Sequence, residues 1–175
     1  MADRGLTGVL LVGGASARFG SAKALARFDG ETLAERAWRI LGEACEERLA
    51  FGKATDGLEL PFDVFDDGID VRAPIAGVIA GLRAAAHDVC IVLPVDIPLV
   101  TADALRLLGR AVAVPQTGPL PGGYAKTMLP ELERRLAHGT LSLRGVNPSV
   151  IELDERLLAN ANTARELAEL REEIG

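Results

Sequence analysis

The sequence has few of the residues on which several protein classes depend. Only two of its 175 residues are cysteine and two are histidine, and aromatic side chains make up 4%. Cys45 lies in a helical pattern and Cys90 in an apolar strand pattern, so we interpret both as packed small hydrophobic residues. Neither histidine has a second ligand at metal-binding spacing. The composition therefore argues against a disulfide scaffold and against a Cys/His metal centre.

Long apolar runs and clusters of basic residues are also missing. No run approaches the ~20 apolar residues that a membrane-spanning helix needs, and the first residues, MADRGLTG, contain no hydrophobic signal core. The net charge is −6 and no basic block occurs, whereas nonspecific nucleic-acid binding needs clustered Lys and Arg. We therefore expect a cytoplasmic protein with neither a membrane nor a nucleic acid as partner.

The chain does contain a repeated alternation of apolar strands and amphipathic helices. Residues 7–12 and 89–93 are continuous apolar runs, which are typical of strands buried on both faces of a parallel sheet. Residues 32–48 and 102–110 have apolar side chains at helical spacing. Such βα units predict a three-layer α/β/α, Rossmann-like fold with a mostly parallel central sheet, in which ligands bind at the carboxyl ends of the strands. Because no linker-like segment interrupts the chain, we expect a single domain over residues 1–175.

The first predicted strand leads into a glycine-rich loop that carries two cations. In LVGGASARFGSAK, the pair Gly13 and Gly14 is followed by Ser16, Arg18 and Lys23. Glycines after a strand can simply turn the chain, but a turn does not require this polar set. Backbone N–H groups and fixed cations in one loop can bind a phosphate chain. Because the spacing fits neither the Walker A loop nor the Gly-x-Gly-x-x-Gly fingerprint, the loop predicts phosphate binding in another register.

Asp96 lies just beyond a second apolar strand, in the segment LPVDIPLV. An aspartate before X-Pro can serve as a turn residue. However, its strand and the glycine-rich loop are predicted to end at the same edge of the sheet. A carboxylate beside bound phosphates is a natural ligand for Mg²⁺, which favours one or two carboxylates together with phosphate oxygens and water. The residues thus leave two interpretations of Asp96, a turn residue and a magnesium ligand.

Taken together, the two motifs resemble signatures of the nucleotidyltransferase superfamily. The pattern LxGGxSxRxGxxK is most similar to that of the molybdenum cofactor guanylyltransferases, and LPVDIP resembles the family's Leu-x-x-Asp-x-Pro block, whose Asp binds the catalytic metal. The resemblance implies a nucleotidyltransferase fold in which Arg18, Lys23 and Asp96 are catalytic and Asp96 also holds the metal. It implies nucleotide binding by Leu11, Val12, Gly13, Gly14, Ser16, Lys23, Asp66 and Asp96.

The segment NANTARELAEL contains two asparagines before a predicted helix. Asn162 or Thr163 as N-cap, with Glu166 as the capping-box partner if Thr163 is the cap, would by itself explain this segment. The segment also resembles the family's Asn-x-Asn-Thr-Pro-Glu-Asp-Leu block, whose asparagines face the active site, although Ala164 replaces the proline. The resemblance therefore implies that Asn160 and Asn162 lie on the acceptor side of the site.

Acidic residues also precede the segment APIAG, which looks like the family's Gly-Pro-Leu-Ala-Gly stretch beside the nucleotide. Ungapped spacing matches Asp66 to the family's acidic residue there, with Asp67 and Asp70 as the alternatives. At the end of the second strand, where the family often has Asn, this chain has Phe-Gly-Lys. We interpret its Lys53 as a solvated surface lysine.

The resemblance implies Mg²⁺-dependent transfer of GMP from GTP to the phosphate of molybdopterin or its molybdenum-loaded form, with release of pyrophosphate. It also allows for delivery or acceptor proteins of the cofactor pathway. The cations of the glycine-rich loop would stabilise the triphosphate and the leaving pyrophosphate. No general base is required, because an acceptor phosphomonoester with a second pKa of about 6 is largely ionised near pH 7. Two alternatives stay open: another cofactor or sugar-phosphate nucleotidyltransferase with CTP or another donor, and a noncatalytic nucleotide-binding protein.

Overall fold

The structure is a computed structural model that describes residues 4–13, 15–16 and 21–174. The predicted site residues Gly14 and Arg18 lie outside the described residues, and Ser16 is described for its backbone alone. The strands are β1 Leu6–Leu11, β2 Ala15–Ser16, β3 Ser21–Ala22, β4 Arg27–Phe28, β5 Glu31–Thr32, β6 Glu47–Gly52, β7 Phe65–Asp66, β8 Val89–Pro94, β9 Val114–Pro115, β10 Gly122–Ala125 and β11 Val150–Ile151. The helices are α1 Leu33–Ala44, α2 Pro74–Ala84, α3 Ala102–Ala111, α4 Leu129–Ala137 and α5 Ala164–Glu173.

A sheet of five strands, in the order β10-β8-β1-β6-β7, forms the centre of the fold. The pairs β8/β1, β1/β6 and β6/β7 are parallel, and β10 alone runs antiparallel, against β8. The prediction of an α/β fold with a mostly parallel central sheet is confirmed. Because the parallel strands end at the same edge, the segments that follow β1, β6, β7 and β8 are brought close together.

Alternate side chains of β1 enter two separate hydrophobic cores. Leu6 and Leu10 pack with residues of α1, α3 and α5, whereas Val9 packs with residues of α2 and α4. Successive side chains of β1 therefore point to opposite faces of the sheet, as expected for a strand that is buried on both faces. The helices therefore form a layer on each side of the sheet, as the sequence predicts. No helix in residues 4–13, 15–16 and 21–174 is long and apolar enough to cross a membrane.

Two helix boundaries near the site follow from local sequence signals. Helix α1 begins at a complete capping box, in which the Thr32 hydroxyl accepts from the Glu35 N–H and the Glu35 carboxylate accepts from the Thr32 N–H. Helix α2 begins with Pro74. Proline is tolerated at this position because the backbone N–H groups of the first helical turn have no acceptor within the helix. In α2, a Cβ added at Gly81 would lie 2.7 Å from Val9 Cγ2. Glycine thus allows α2 to pack closely on β1.

Candidate functional site

A cavity of about 440 Å³ opens at the carboxyl ends of the parallel strands. Gly13 follows β1, Lys53 follows β6 and Asp96 follows β8, and all three line the cavity together with Pro74 at the start of α2. This volume lies within the range of about 300–1,000 Å³ that small-molecule sites occupy. The amino terminus of α2 also contributes positive potential to this cavity, which favours an anionic ligand. The location and the size are those of a ligand site in an α/β sheet.

Lys23 and Asp96 line the cavity and contact each other, and Asn162, from a third distant part of the chain, contacts Lys23. Lys23 Nζ lies 3.2 Å from Asp96 Oδ2 and donates to Asn162 Oδ1 at 3.3 Å. The side chains of Lys23 and Asp96 are each 20% exposed, so both remain accessible to a ligand. Asn162 Nδ2 also reaches Asn160 Oδ1 at 3.5 Å. Four predicted site residues are therefore neighbours in space, although up to 139 positions separate the bonded pairs.

Lys23 and Asp96 are each held by the backbone around them. Lys23 begins a short 3₁₀ turn, in which its carbonyl accepts from the Ala26 N–H at 3.0 Å and the next residue, Ala24, is buried in the core. The Asp96 carbonyl accepts from the Ala161 N–H at 2.9 Å. In the described part of the chain, the Asp96 carboxylate accepts from Lys23 and from no backbone N–H. The backbone of Asp96 thus anchors the asparagine segment, while its carboxylate is directed to the cavity.

The asparagine segment is also fixed by the start of α5. The Thr163 hydroxyl accepts from the Glu166 N–H at 3.1 Å, so that Thr163, and not Asn162, is the N-cap of the two candidates. The Glu166 carboxylate accepts from the N–H of Asn162 at 2.6 Å, one residue earlier than the expected capping-box partner. The backbone of Asn162 is fixed by this hydrogen bond to Glu166. Its side-chain oxygen is therefore free to accept from Lys23.

The opposite end of the cavity contains a lysine and an aspartate that share a short ion pair. Lys53 Nζ lies 2.6 Å from Asp67 Oδ1 and also donates to the Ile69 carbonyl oxygen. The side chains of Lys53 and Asp67 are only 14% and 7% exposed. The interpretation of Lys53 as a solvated surface lysine was therefore wrong. No sequence motif pointed to this residue; its partner Asp67 was only one of three alternatives.

Of the three candidate aspartates before α2, the structure brings Asp67 into the cavity. The Asp66 side chain is exposed, and its carboxylate accepts from the N–H groups of Ala54 and Gly68, each at 2.7 Å. These two hydrogen bonds, with that from Ala54 the stronger influence, hold the pKa of Asp66 below its usual range. Asp70 is exposed as well and does not line the cavity. Asp66 thus stabilises the loop around the cavity, while Asp67 forms part of the wall.

The donor set at the Asp96 end fits a magnesium ion that is shared with a phosphate ligand. Asp96 supplies one carboxylate that is open to the cavity. Within the described ranges, no cluster of three or more His, Cys, Asp and Glu side chains is arranged to hold a metal. Mg²⁺ commonly binds through one or two carboxylates and completes its shell with phosphate oxygens and water. The residues present therefore suit a metal that arrives with a nucleotide.

Comparisons with known proteins find a matching family model and similar sequences. The family model for the MobA-like NTP transferase domain matches residues 8–172. A probable molybdenum cofactor guanylyltransferase of Deinococcus radiodurans is 33% identical over 181 residues, which cover 94% of this chain and 93% of the relative. The molybdenum cofactor guanylyltransferase of Burkholderia ambifaria is 32% identical over an alignment of 194 residues. The alignment covers 94% of this chain and 95% of the relative.

Solved structures share the fold at lower sequence identity. Molybdopterin-guanine dinucleotide biosynthesis protein A from Archaeoglobus fulgidus has a TM-score of 0.80 at 20% identity, with 96% of this chain and 98% of that chain covered. The 2-C-methyl-D-erythritol 4-phosphate cytidylyltransferase from Thermus thermophilus has a TM-score of 0.70 at 16% identity, with 95% and 97% covered. The chain thus shares its overall fold with these two proteins.

Proposed function

The chain belongs to the MobA-like NTP transferase family, and we propose that it transfers GMP from GTP to the phosphate of molybdopterin or its molybdenum-loaded form. The names of its relatives support the guanylyl donor and the molybdenum cofactor as acceptor. The observation that carries the proposal is the contact of Lys23 with Asp96 in the cavity, with Asn162 bonded to the same ammonium group. A cation, a carboxylate and an amide in this arrangement suit a bound triphosphate.

The proposed reaction is an in-line displacement at phosphorus. A phosphate oxygen of the acceptor attacks the α-phosphorus of GTP, a new P–O bond forms, and the bond to the β-phosphate oxygen breaks, so that pyrophosphate leaves. Negative charge increases on the oxygens around the α-phosphorus and on the leaving group. Fixed cations and N–H donors that face these oxygens lower the barrier, because they require no rearrangement during the reaction.

Lys23 is the described side chain that best meets this requirement. An ammonium group has three N–H donors, and the contacts to Asp96 and Asn162 occupy two of them. The remaining donor can bind a triphosphate oxygen. Asn162, whose backbone is fixed at the start of α5, orients Lys23 for this contact. We assign Arg18 and the Gly13–Gly14 backbone to the same phosphate chain on the family pattern.

Asp96 would hold Mg²⁺, which when bound supplies positive charge to the phosphate oxygens. No histidine lines the cavity within the described residues, and the reaction needs no general base. The acceptor phosphate has a second pKa of about 6 and is therefore largely ionised at neutral pH. The chain's task is binding, alignment and charge stabilisation.

The decisive experiment measures pyrophosphate release from GTP with Mg²⁺ and molybdopterin. We expect release that requires all three components, and we expect GTP to be used in preference to CTP, ATP and UTP. Preferential use of CTP would instead indicate another nucleotidyltransferase. GTP binding without pyrophosphate release in the presence of acceptor would indicate a noncatalytic nucleotide-binding protein.

A further inference from the structure

Arg36, near the start of α1, bonds to two segments that lie far apart in the chain. Its Nε donates to the Pro98 carbonyl oxygen at 2.6 Å, in the turn after β8. Its Nη1 donates to Glu31 Oε1 at 3.2 Å, and its Cζ lies 5.0 Å from the centre of the Phe28 ring, both in the β4/β5 hairpin. The Arg36 side chain is only 17% exposed. One side chain thus connects the β4/β5 hairpin to the turn after β8.

The same two segments carry the groups to which the phosphate chemistry is assigned. Asp96 lies two residues before Pro98. Lys23 precedes the hairpin, and its carbonyl accepts from the Ala26 N–H at 3.0 Å. The Ala26 carbonyl in turn accepts from the N–H of Leu33, the first residue of α1, at 2.9 Å. The backbone that carries Lys23 is therefore fixed to the start of α1, and Arg36 extends this connection to the Asp96 turn.

The contact between Lys23 and Asp96 is a weak determinant of their spacing when a ligand is bound. The two side chains meet in an accessible cavity, where each is 20% exposed. A bound triphosphate competes for the Lys23 ammonium, because phosphate oxygens are strong acceptors for a charged donor. The spacing of the two segments then depends on contacts outside the cavity. Arg36 supplies such a contact, since it does not line the cavity in the described part of the chain.

The chemistry of arginine suits a connection of this kind. A guanidinium group is planar, has five N–H donors in a fixed arrangement and also stacks on aromatic rings, whereas an ammonium group is a point charge on a flexible stem. Arg36 bonds to a carbonyl and a carboxylate and lies over a ring. Its partner Glu31 also accepts from Arg39, and the hydrogen bond from Arg39, more than the influence of Arg36, holds the pKa of Glu31 below its usual range. Glu31 is therefore a charged anchor for Arg36 at neutral pH.

We propose that Arg36 is a positioning residue that sets the spacing between Lys23 and Asp96 for the transfer reaction. It acts through the hairpin and the turn and touches neither group itself. A displacement of about 1 Å at a reacting centre can lower a rate by about 10²-fold, even when the substituted residue is remote. The effect on turnover rests on the proposed function, whereas the effect on the two segments can be measured without any substrate.

The first test measures amide hydrogen exchange by NMR on the full chain without ligands. The reporters are the N–H groups of Ala26 and Ala161, which donate to the carbonyls of Lys23 and Asp96. Arg36→Met removes the guanidinium and keeps an unbranched stem. Loss of a hydrogen bond from a charged donor corresponds to a factor of roughly 10 to 100 in a local equilibrium. Exchange at both reporters should therefore accelerate by roughly this factor relative to the amides of β8.

Arg106→Met is the matched control, because Arg106 also connects two elements through a backbone carbonyl. Its Nη2 donates to the Glu43 carbonyl oxygen at 2.9 Å and joins α3 to the far end of α1. Within the described ranges, Arg106 does not line the cavity. Its loss should leave exchange at Ala26 and Ala161 unchanged relative to the amides of β8. Arg36→Lys, which keeps the charge without the planar group, should resemble Arg36→Met more than the wild type.

The second test is a double-mutant cycle on pyrophosphate release under saturating GTP, Mg²⁺ and acceptor. Arg36→Met should lower kcat by roughly 10- to 100-fold. A displaced Lys23 contributes less to the transition state, so Lys23→Met should cost much less in the Arg36→Met background than in the wild type. In the Arg106→Met background, Lys23→Met should keep its full effect. A role in stability alone would instead leave kcat of the folded protein unchanged.

The inference is overturned if Arg36→Met leaves exchange at Ala26 and Ala161 at the wild-type rates, if it retains wild-type kcat, or if its effect and that of Lys23→Met simply multiply. Each of these results leaves the proposed function intact, provided that the wild type releases pyrophosphate from GTP. If the wild type releases none, the proposed function fails, and the exchange rates alone decide whether Arg36 fixes the two segments. Should Arg36→Met not fold, Arg36→Lys takes its place in both tests with changes expected in the same direction.

Discussion

The strongest prediction concerns Lys23→Met, which removes the ammonium group and keeps most of the aliphatic stem. In the structure the ammonium makes two hydrogen bonds, of 3.2 and 3.3 Å, and the side chain is 20% exposed. Partly solvated ion pairs of this kind contribute about 0.2–1 kcal/mol to stability. The free energy of unfolding should therefore change by no more than about 1 kcal/mol.

The effect of Lys23→Met on turnover should be much larger. Removing one donor that stabilises developing charge costs about 2.7–4 kcal/mol, or roughly 10²–10³ in kcat. Pyrophosphate release under saturating GTP, Mg²⁺ and acceptor measures this loss, and urea unfolding measures stability on the same preparation. Lys126→Met, whose ammonium lies outside the cavity, should retain wild-type turnover. A Lys23→Met protein with wild-type kcat would refute the assignment of Lys23 to the triphosphate.

Three further predictions concern the metal, the packing and the pH dependence. Asp96→Asn should abolish Mg²⁺-dependent pyrophosphate release, and an unchanged activation curve over Mg²⁺ concentration would mean that the carboxylate serves the turn alone. Gly81→Ala should lower the free energy of unfolding by about 1–3 kcal/mol in urea, because its Cβ would lie 2.7 Å from Val9; equal stability would contradict close packing of α2 on β1. Burial raises the pKa of Glu47, but hydrogen bonds from the Thr7 hydroxyl and the Ala86 N–H outweigh it and bring the pKa below the usual 4.5. Glu47 should therefore stabilise the fold above pH 4.5 and lose this contribution as the pH falls through the lower folded-state pKa. The free energy of unfolding, measured against pH, should decrease less steeply towards acid pH in Glu47→Gln than in the wild type. Identical curves for the two proteins would contradict a stabilising role of the Glu47 carboxylate.

Much of the site could be predicted because its signals are local. Each signal can be recognised from a few consecutive residues: the apolar run of β1, the glycines after it, and Asp96 beyond the apolar run of β8. A parallel sheet then brings the ends of β1 and β8 to one edge whatever the details of packing. Topology thus brings the segment after β1 beside Asp96, and the 3.2 Å contact shows that Lys23 of that segment faces the same cavity.

The far end of the cavity could not be predicted in this way. Strand β7 has only two residues, at the edge of the sheet, and it pairs Asp66 with Gly52. Because consecutive side chains of an extended chain point in opposite directions, a change of one residue in this register exchanges the environments of Asp66 and Asp67. Such a short strand carries no periodic pattern from which the register could be inferred.

The sequence by itself determined the layered α/β architecture, the edge at which ligands bind and the cation and carboxylate that meet there, since all of these follow from short-range patterns. Only the tertiary structure decided which acidic side chain enters the cavity, that Lys53 is buried beside it and that Asn162 contacts Lys23. These features depend on contacts between segments that are distant in the chain. Their geometry is set by packing and strand register, which no local pattern records.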